Sequence, residues 1–217
     1  MKLRALSLVS CMAAVLAVAP LAQAQITGTE WNGWMSPVPT SPSGLPLASA
    51  ANLTFNTASI DFCVQDANCS PAYSGTYSLD GFLNSNGGAS GVTGATYFGG
   101  ATGSSTLNNT LWDFTGTAYF VNGETFSVGH DDGTVMYVNG VSVLSQPGPT
   151  SFTPSTYTYT GATGMESFNF AYGETNGRPA VYETNLQTAA TPEPSSFILL
   201  GSGLLAAAGV VRRRIAA

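Results

Sequence analysis

Apolar and polar positions alternate with a period of two over much of the second half of this chain. Two such runs, 134–138 and 141–144, are joined by only Asn139 and Gly140. That spacing predicts a β-hairpin, because both central residues of a type I′ turn need positive φ and Asn-Gly supplies it. Tyr157 and Tyr159 alternate with Thr156, Thr158 and Thr160, and Phe168, Phe170 and Tyr172 alternate with Ser167, Asn169 and Ala171. Further strands are expected at 58–64, 76–83, 92–98, 117–121 and 125–129, with a closing strand over 178–186. Residues 30–49 carry Trp31, Trp34 and prolines 37, 39, 42 and 46, and read as an extended entry segment. Many short strands separated by Gly- and Ser-rich turns predict an all-β fold, an antiparallel β-sandwich.

The two ends break this pattern. Lys2 and Arg4 precede an apolar stretch from Ala5 to Leu21, and Ala22-Gln23-Ala24 is a small-x-small cleavage site. Residues 1–24 therefore read as a secretory signal peptide. Leu8 to Cys11 faintly mimics a lipoprotein box, but the apolar run continues past Cys11. At the other end residues 197–211 are apolar and are followed by Arg212, Arg213 and Arg214. Fifteen helical residues span about 23 Å, short of the roughly 30 Å hydrocarbon core, and the arginines would stay cytoplasmic. Pro192, Glu193 and Pro194 stand just before this single transmembrane helix and keep the chain extended there.

Pro-Glu-Pro, a short span and a basic terminus together resemble the PEP-CTERM sorting signal of Gram-negative bacteria. The resemblance implies export, transient anchoring in the inner membrane, recognition by an exosortase, and a setting of extracellular polysaccharide. A plain C-terminal anchor is the alternative. The expected organisation is a signal peptide (1–24), a secreted sandwich (25–186), a linker (187–191) and a sorting signal (192–217) with its span at 197–211.

Between the signals stand eleven acidic residues against one base, Arg178, a formal balance of −10. Phosphate binding needs Lys and Arg, so nucleic acid is excluded as a partner and cations are favoured. Cys63 and Cys69 remain as an even pair in an oxidising compartment, which reads as a disulfide closing a small loop, worth about 2 kcal/mol. No histidine lies near, and two sulfurs by themselves do not make a zinc site, which favours the disulfide.

The segment from Phe126 to Gly140 is the most pointed: an aromatic strand, Asp131-Asp132-Gly133, an apolar strand and Asn139-Gly140. Together with Tyr172, Glu174 and Gly177 it resembles the core and closing strands of a PA14-type β-sandwich, over 111–186. The resemblance implies that Asp131 and Asp132 hold a calcium ion that also coordinates sugar hydroxyls. Calcium needs six to eight oxygens, and Asn139, Asn176 or Asn185 could supply others. The alternative is that Asp131, Asp132 and Gly133 only build an Asx-type turn.

The other candidates have plainer readings. His130, the only histidine, reads as a turn or surface residue rather than a general base, since no motif partners it with a nucleophile. Glu166, Glu174 and Glu183 could give a carboxylate pair for glycoside hydrolysis, without any signature beside them. Trp31, Trp34 and Trp112 could stack on sugars, but such residues more often fill a core. Thr156, Thr158 and Thr160 could form one row of an ice-binding face or simple cross-strand pairs. The expectation is a non-enzymatic exported protein associated with exopolysaccharide, with calcium at Asp131 and Asp132. It includes loss of glycan binding in Asp132→Ala without unfolding. A ligand-free structural surface protein is the alternative, followed by an ice-binding or glycan-cleaving one.

Overall fold

The structure, a computed structural model, describes residues 26–65, 75–85 and 92–186 and the single residue 203. The expected signal peptide, the linker, Pro192 to Pro194, Arg212 to Arg214, Cys69 and all of the 197–211 span except Gly203 lie outside them. Among the described residues no helix is long and apolar enough to cross a membrane. Residues 24–189 form one folded unit.

Among the described residues eleven strands build two antiparallel sheets. In chain order they are β1 (Ile26–Asn32), β2 (Leu53–Thr57), β3 (Asp61–Val64), β4 (Val92–Tyr97), β5 (Thr110–Phe120) and β6 (Thr125–His130). Then come β7 (Gly133–Val138), β8 (Val141–Gln146), β9 (Thr153–Thr158), β10 (Gly164–Glu174) and β11 (Ala180–Thr184). The large sheet runs β4-β2-β1-β5-β10-β7-β8 and the small one β3-β11-β6-β9. The expected all-β antiparallel sandwich is what the chain forms.

Between the sheets Phe55, Phe62, Phe82, Trp112, Phe114, Tyr172 and Tyr182 are fully buried. Phe62 stacks on Phe82 with centroids 4.8 Å apart, and Tyr172 stacks on Tyr182 at 4.9 Å. Such pairs add roughly 1 kcal/mol each beyond their buried area. Gly28 lets β2 approach, because a Cβ there would sit 2.1 Å from the Phe55 ring. Trp112 is buried between the sheets and Trp31 in a second cluster on the outer face of the large sheet, so the sugar-stacking reading fails for both.

A second apolar cluster covers the outer face of the large sheet. Trp31, Val38, Ala51, Leu111, Val135, Tyr137 and Ala171 pack there, with Trp34 and Leu45 partly buried against them. The proline-rich segment after β1 therefore lies over the sheet. This explains why β5 extends to Thr110, well before the expected start at 117. Residues 110–114 are buried on both faces, so no alternation marks them.

Two other expectations are corrected. Residues 76–83 are not a strand: Leu79–Ser85 is a short α-helix, α1. Leu79, Phe82 and Leu83 are apolar at i, i+3 and i+4, which is helical spacing. Ser78 caps it, its hydroxyl accepting the Gly81 N–H (3.2 Å) and its carbonyl the Phe82 N–H (2.9 Å). Residues 26–32 and 53–57, for which no strand was expected beyond the entry segment, are β1 and β2 inside the large sheet. The 134–144 hairpin stands, with Asn139 at φ +50° and Gly140 at φ +76°.

Candidate functional site

The acidic loop leaves the end of β6 and enters β7. Asp131 N–H donates to the Val181 carbonyl (3.0 Å) and Asp132 N–H to the Thr150 carbonyl (2.9 Å). Asp132 sits at φ +69°, a left-handed conformation that Asp tolerates better than most residues. Its carboxylate ties three segments together. Oδ1 accepts the Thr150 N–H (3.2 Å), and Oδ2 accepts the N–H groups of Thr175 (2.7 Å) and Asn176 (3.1 Å).

The register between β7 and β10 sets Gly173 opposite Gly133, which brings Glu174 beside the loop. Both glycines are required by close packing: a Cβ at Gly133 would lie 2.5 Å from the Pro147 carbonyl oxygen, and one at Gly173 2.8 Å from Val38. Asp131, Asp132 and Glu174 are all buried, and each offers a carboxylate oxygen within 4.8 Å of the others. Tyr77 donates its hydroxyl to Glu174 Oε1, and Tyr172 donates to Oε2 at 2.7 Å.

Burial pushes the Glu174 carboxyl up to about 8. The two tyrosine hydroxyls pull it down, and the charges of Asp132 and Asp131 push it up. Both tyrosines are held neutral, by burial first and then by Glu174. Arg178, the only Lys or Arg among the described residues, is exposed with its guanidinium 5.9 Å from the Tyr77 ring centroid. Three carboxylates thus converge without a basic side chain between them.

That donor set fits a hard divalent cation. Each carboxylate oxygen has two lone-pair directions. The hydrogen bonds leave one on each Glu174 oxygen and one on Asp132 Oδ1. Asn176 is next to the cluster, through its backbone N–H. Asn139 is at the far tip of the β7–β8 hairpin, and Asn185 accepts the Ser127 N–H with its side chain (2.9 Å), so neither reaches the loop. The third carboxylate, Glu174, was legible only as part of the Tyr-x-Glu-x-x-Gly stretch; the strand register assigns it to the loop.

The remaining candidates separate. Glu166 lies eight residues before Glu174 on β10, about 27 Å along the strand. Glu183 packs by Gly129 on the outer face of the small sheet. Glu166 and Glu183 therefore make no catalytic pair with Glu174. His130 is fully buried, not a surface residue, with Nδ1 2.7 Å from the Asp132 carbonyl and Nε2 2.7 Å from the Gln146 amide. It faces inward because Phe126, Val128 and His130 share the core side of β6. Thr158 pairs with Thr125 across the strands at 3.1 Å on the exposed face. β9 is a sheet edge, so the threonine row is not continued beyond it. Cys63 is disulfide-bonded.

Comparison with known proteins settles one point about the C-terminus. Residues 190–214 match the PEP-CTERM protein-sorting motif. The motif implies a secreted protein whose precursor is anchored in the membrane at its C-terminus. No curated protein matches the chain. Among solved structures the fold is similar to the PA14 sugar-binding domain from an RTX adhesin. Its TM-score is 0.51 at 19% identity, over 78% of this chain and 93% of that one. The PA14 domain of the MpAFP antifreeze protein gives 0.48 at 19% identity, covering 78% and 83%. A GH31 α-xylosidase from Xanthomonas citri gives 0.38 at 10% identity, over 79% of this chain and 14% of the enzyme. The sorting motif follows a PA14-like sandwich, and at these identities the likeness speaks for the architecture alone.

Proposed function

We propose that this is a non-enzymatic surface protein, sorted by an exosortase at Pro192-Glu193-Pro194, that binds exopolysaccharide through a calcium ion. Asp131, Asp132 and Glu174 would hold the ion. The observation that carries the reading is the convergence of these three buried carboxylates with no basic side chain among them. That the similar adhesin domain is a sugar-binding one supports it. A bound calcium would offer open coordination positions to vicinal sugar hydroxyls. The protein's own part is to hold the loop rigid, through Asp132 on the Thr150, Thr175 and Asn176 amides, and to orient Glu174 with Tyr77 and Tyr172.

A second reading has its own observation. Asp132 already accepts three backbone N–H groups, so the loop could be a turn whose acid is purely structural. The two are separated by titrating the secreted protein with calcium, then measuring its retention on the host's exopolysaccharide in calcium and in EDTA. Calcium binding with retention lost in EDTA supports the first. No calcium uptake sinks it and leaves the structural turn. Release of the processed chain without residues C-terminal to the Pro-Glu-Pro segment, read by mass spectrometry, tests the sorting step.

A further inference from the structure

His130 takes no part in the carbohydrate reading, yet it is placed as if for chemistry. Its Nδ1 faces the Asp132 carbonyl, which only accepts, so Nδ1 carries the proton and Nε2 presents a lone pair. Two groups meet at Nε2. The Ser155 hydroxyl is 3.5 Å away, and the terminal Oε1 position of the Gln146 amide is 2.7 Å away. The same hydroxyl is 3.1 Å from that amide terminus. Opposite a lone pair, the amide turns its nitrogen toward the ring.

The three residues come from three strands. His130 ends β6, Ser155 is on β9, and Gln146 ends β8. β8 is an edge of the large sheet and β9 an edge of the small one, so the trio bridges the sandwich. Ser155 and His130 are buried. This is a hydroxyl, a base oriented by a third group, and an acyl carbon one bond from an atom the hydroxyl already touches. Each member also has a hydrogen-bond partner without reacting, so the competing reading is a static polar bridge.

We propose that Ser155 and Gln146 become joined by an intramolecular ester, with His130 carrying the proton. Ser155 Oγ bonds to Gln146 Cδ while its proton passes to His130 Nε2. The imidazolium then gives that proton to the amide nitrogen, the Cδ–N bond breaks, and ammonia leaves. One hydroxyl and one amide become one ester and one ammonia, with nothing oxidised or reduced. The reaction is a single turnover on the protein's own side chains and needs no calcium. It would lock β8, whose other strand neighbour is β7 alone, to the opposite sheet. A protein that works outside the cell gains a permanent tie where repair is absent.

The test is a peptide map of the secreted protein. Cleavage after Leu144, Phe152 and Tyr157 yields 145–152, with Gln146, and 153–157, with Ser155. The expected result is one joined species, lighter than the two peptides' sum by one ammonia, that separates in hydroxylamine. Ammonia lost by Gln25 cyclising or at Asn139-Gly140 falls in other peptides and does not count. Recovery of the two peptides separately at unmodified mass from the wild-type protein overturns the proposal, whatever any variant does. Ser155→Ala should give unlinked peptides. His130→Gln should form the link at least ~100-fold more slowly, the usual scale of a general base. A link forming at the wild-type rate in His130→Gln overturns the histidine's role.

Discussion

Glu30 on β1 and Glu174 at the end of β10 both point from the large sheet into the sandwich. Both are fully buried, and burial pushes both carboxyls up to about 8. Their surroundings differ. Among the described residues neither oxygen of Glu30 has a hydrogen-bond partner. Each oxygen of Glu174 has a tyrosine hydroxyl, and two aspartates stand beside it. The contrast separates a buried acid that is tolerated because it stays protonated from one whose lone pairs are aimed and whose neighbours add negative charge. Desolvation alone marks both, so a raised carboxyl does not identify a site. Partners and convergent charge do.

The strongest way to break this comparison is to remove the hub of the organised region. Asp132→Ala deletes an acceptor for three backbone N–H groups and puts alanine at φ +69°. Each such bond to a charged group is worth about 1.5–3 kcal/mol, and their loss leaves buried donors unpaired. We expect a loss of about 4 kcal/mol in urea unfolding, so any loss of glycan binding in this variant has to be measured where it is still folded. A loss under about 1 kcal/mol would show that the loop is not held by this residue.

Next in size is the tolerated acid. The folded carboxyl of Glu30 is raised above its unfolded value of 4.5, so between that value and about 8 the native state holds a proton that the unfolded chain has lost. Its contribution is intact below pH 4.5 and is lost as pH rises through about 8. Glu30→Gln removes this dependence. The variant's stability relative to wild type should rise from pH 5 to pH 9 by the order of 3 kcal/mol. Asp113, pushed up to about 7 by burial, drives wild type in the same direction but cancels in the difference. A difference that does not change with pH would mean Glu30 has the same proton affinity folded and unfolded.

Calcium should then act on one region and not the other. At a hundred times its dissociation constant the ion should add about 2.7 kcal/mol to wild-type stability, read as a raised thermal midpoint. Glu174→Gln should abolish most of that rise, and Glu30→Gln should leave it unchanged. An equal calcium response in both variants would detach the ion from this cluster.

The legible parts of this molecule were those whose signal is local. Asn139-Gly140 dictates a turn by its own φ requirements, and the β7–β8 hairpin followed. The alternation over 167–172 identified β10. What escaped depends on distant neighbours. Thr110 to Phe114 lost their alternation because the proline-rich segment covers the outer face of β5. Leu79, Phe82 and Leu83 fit a helix or a buried strand until Ser78 is seen to cap the turn. At the site, Asp131 and Asp132 were visible as a pair, but Glu174 joins them only through the register of Gly173 with Gly133. His130 was misplaced because its partners, Ser155 and Gln146, arrive from two other strands.

The smallest effect probes how far the two glutamates differ. Tyr77→Phe removes one hydroxyl from Glu174 and keeps the ring beneath Arg178, taking Glu174 halfway to the condition of Glu30. One hydrogen bond to a buried acid is worth about 1 kcal/mol net, so unfolding in EDTA should show a loss of that size. With calcium the loss should grow, because the freed oxygen is no longer oriented and the ion binds more weakly. A variant destabilised equally with and without calcium would mean that Tyr77 serves the fold alone. The organised surroundings of Glu174 would then need no ion to account for them.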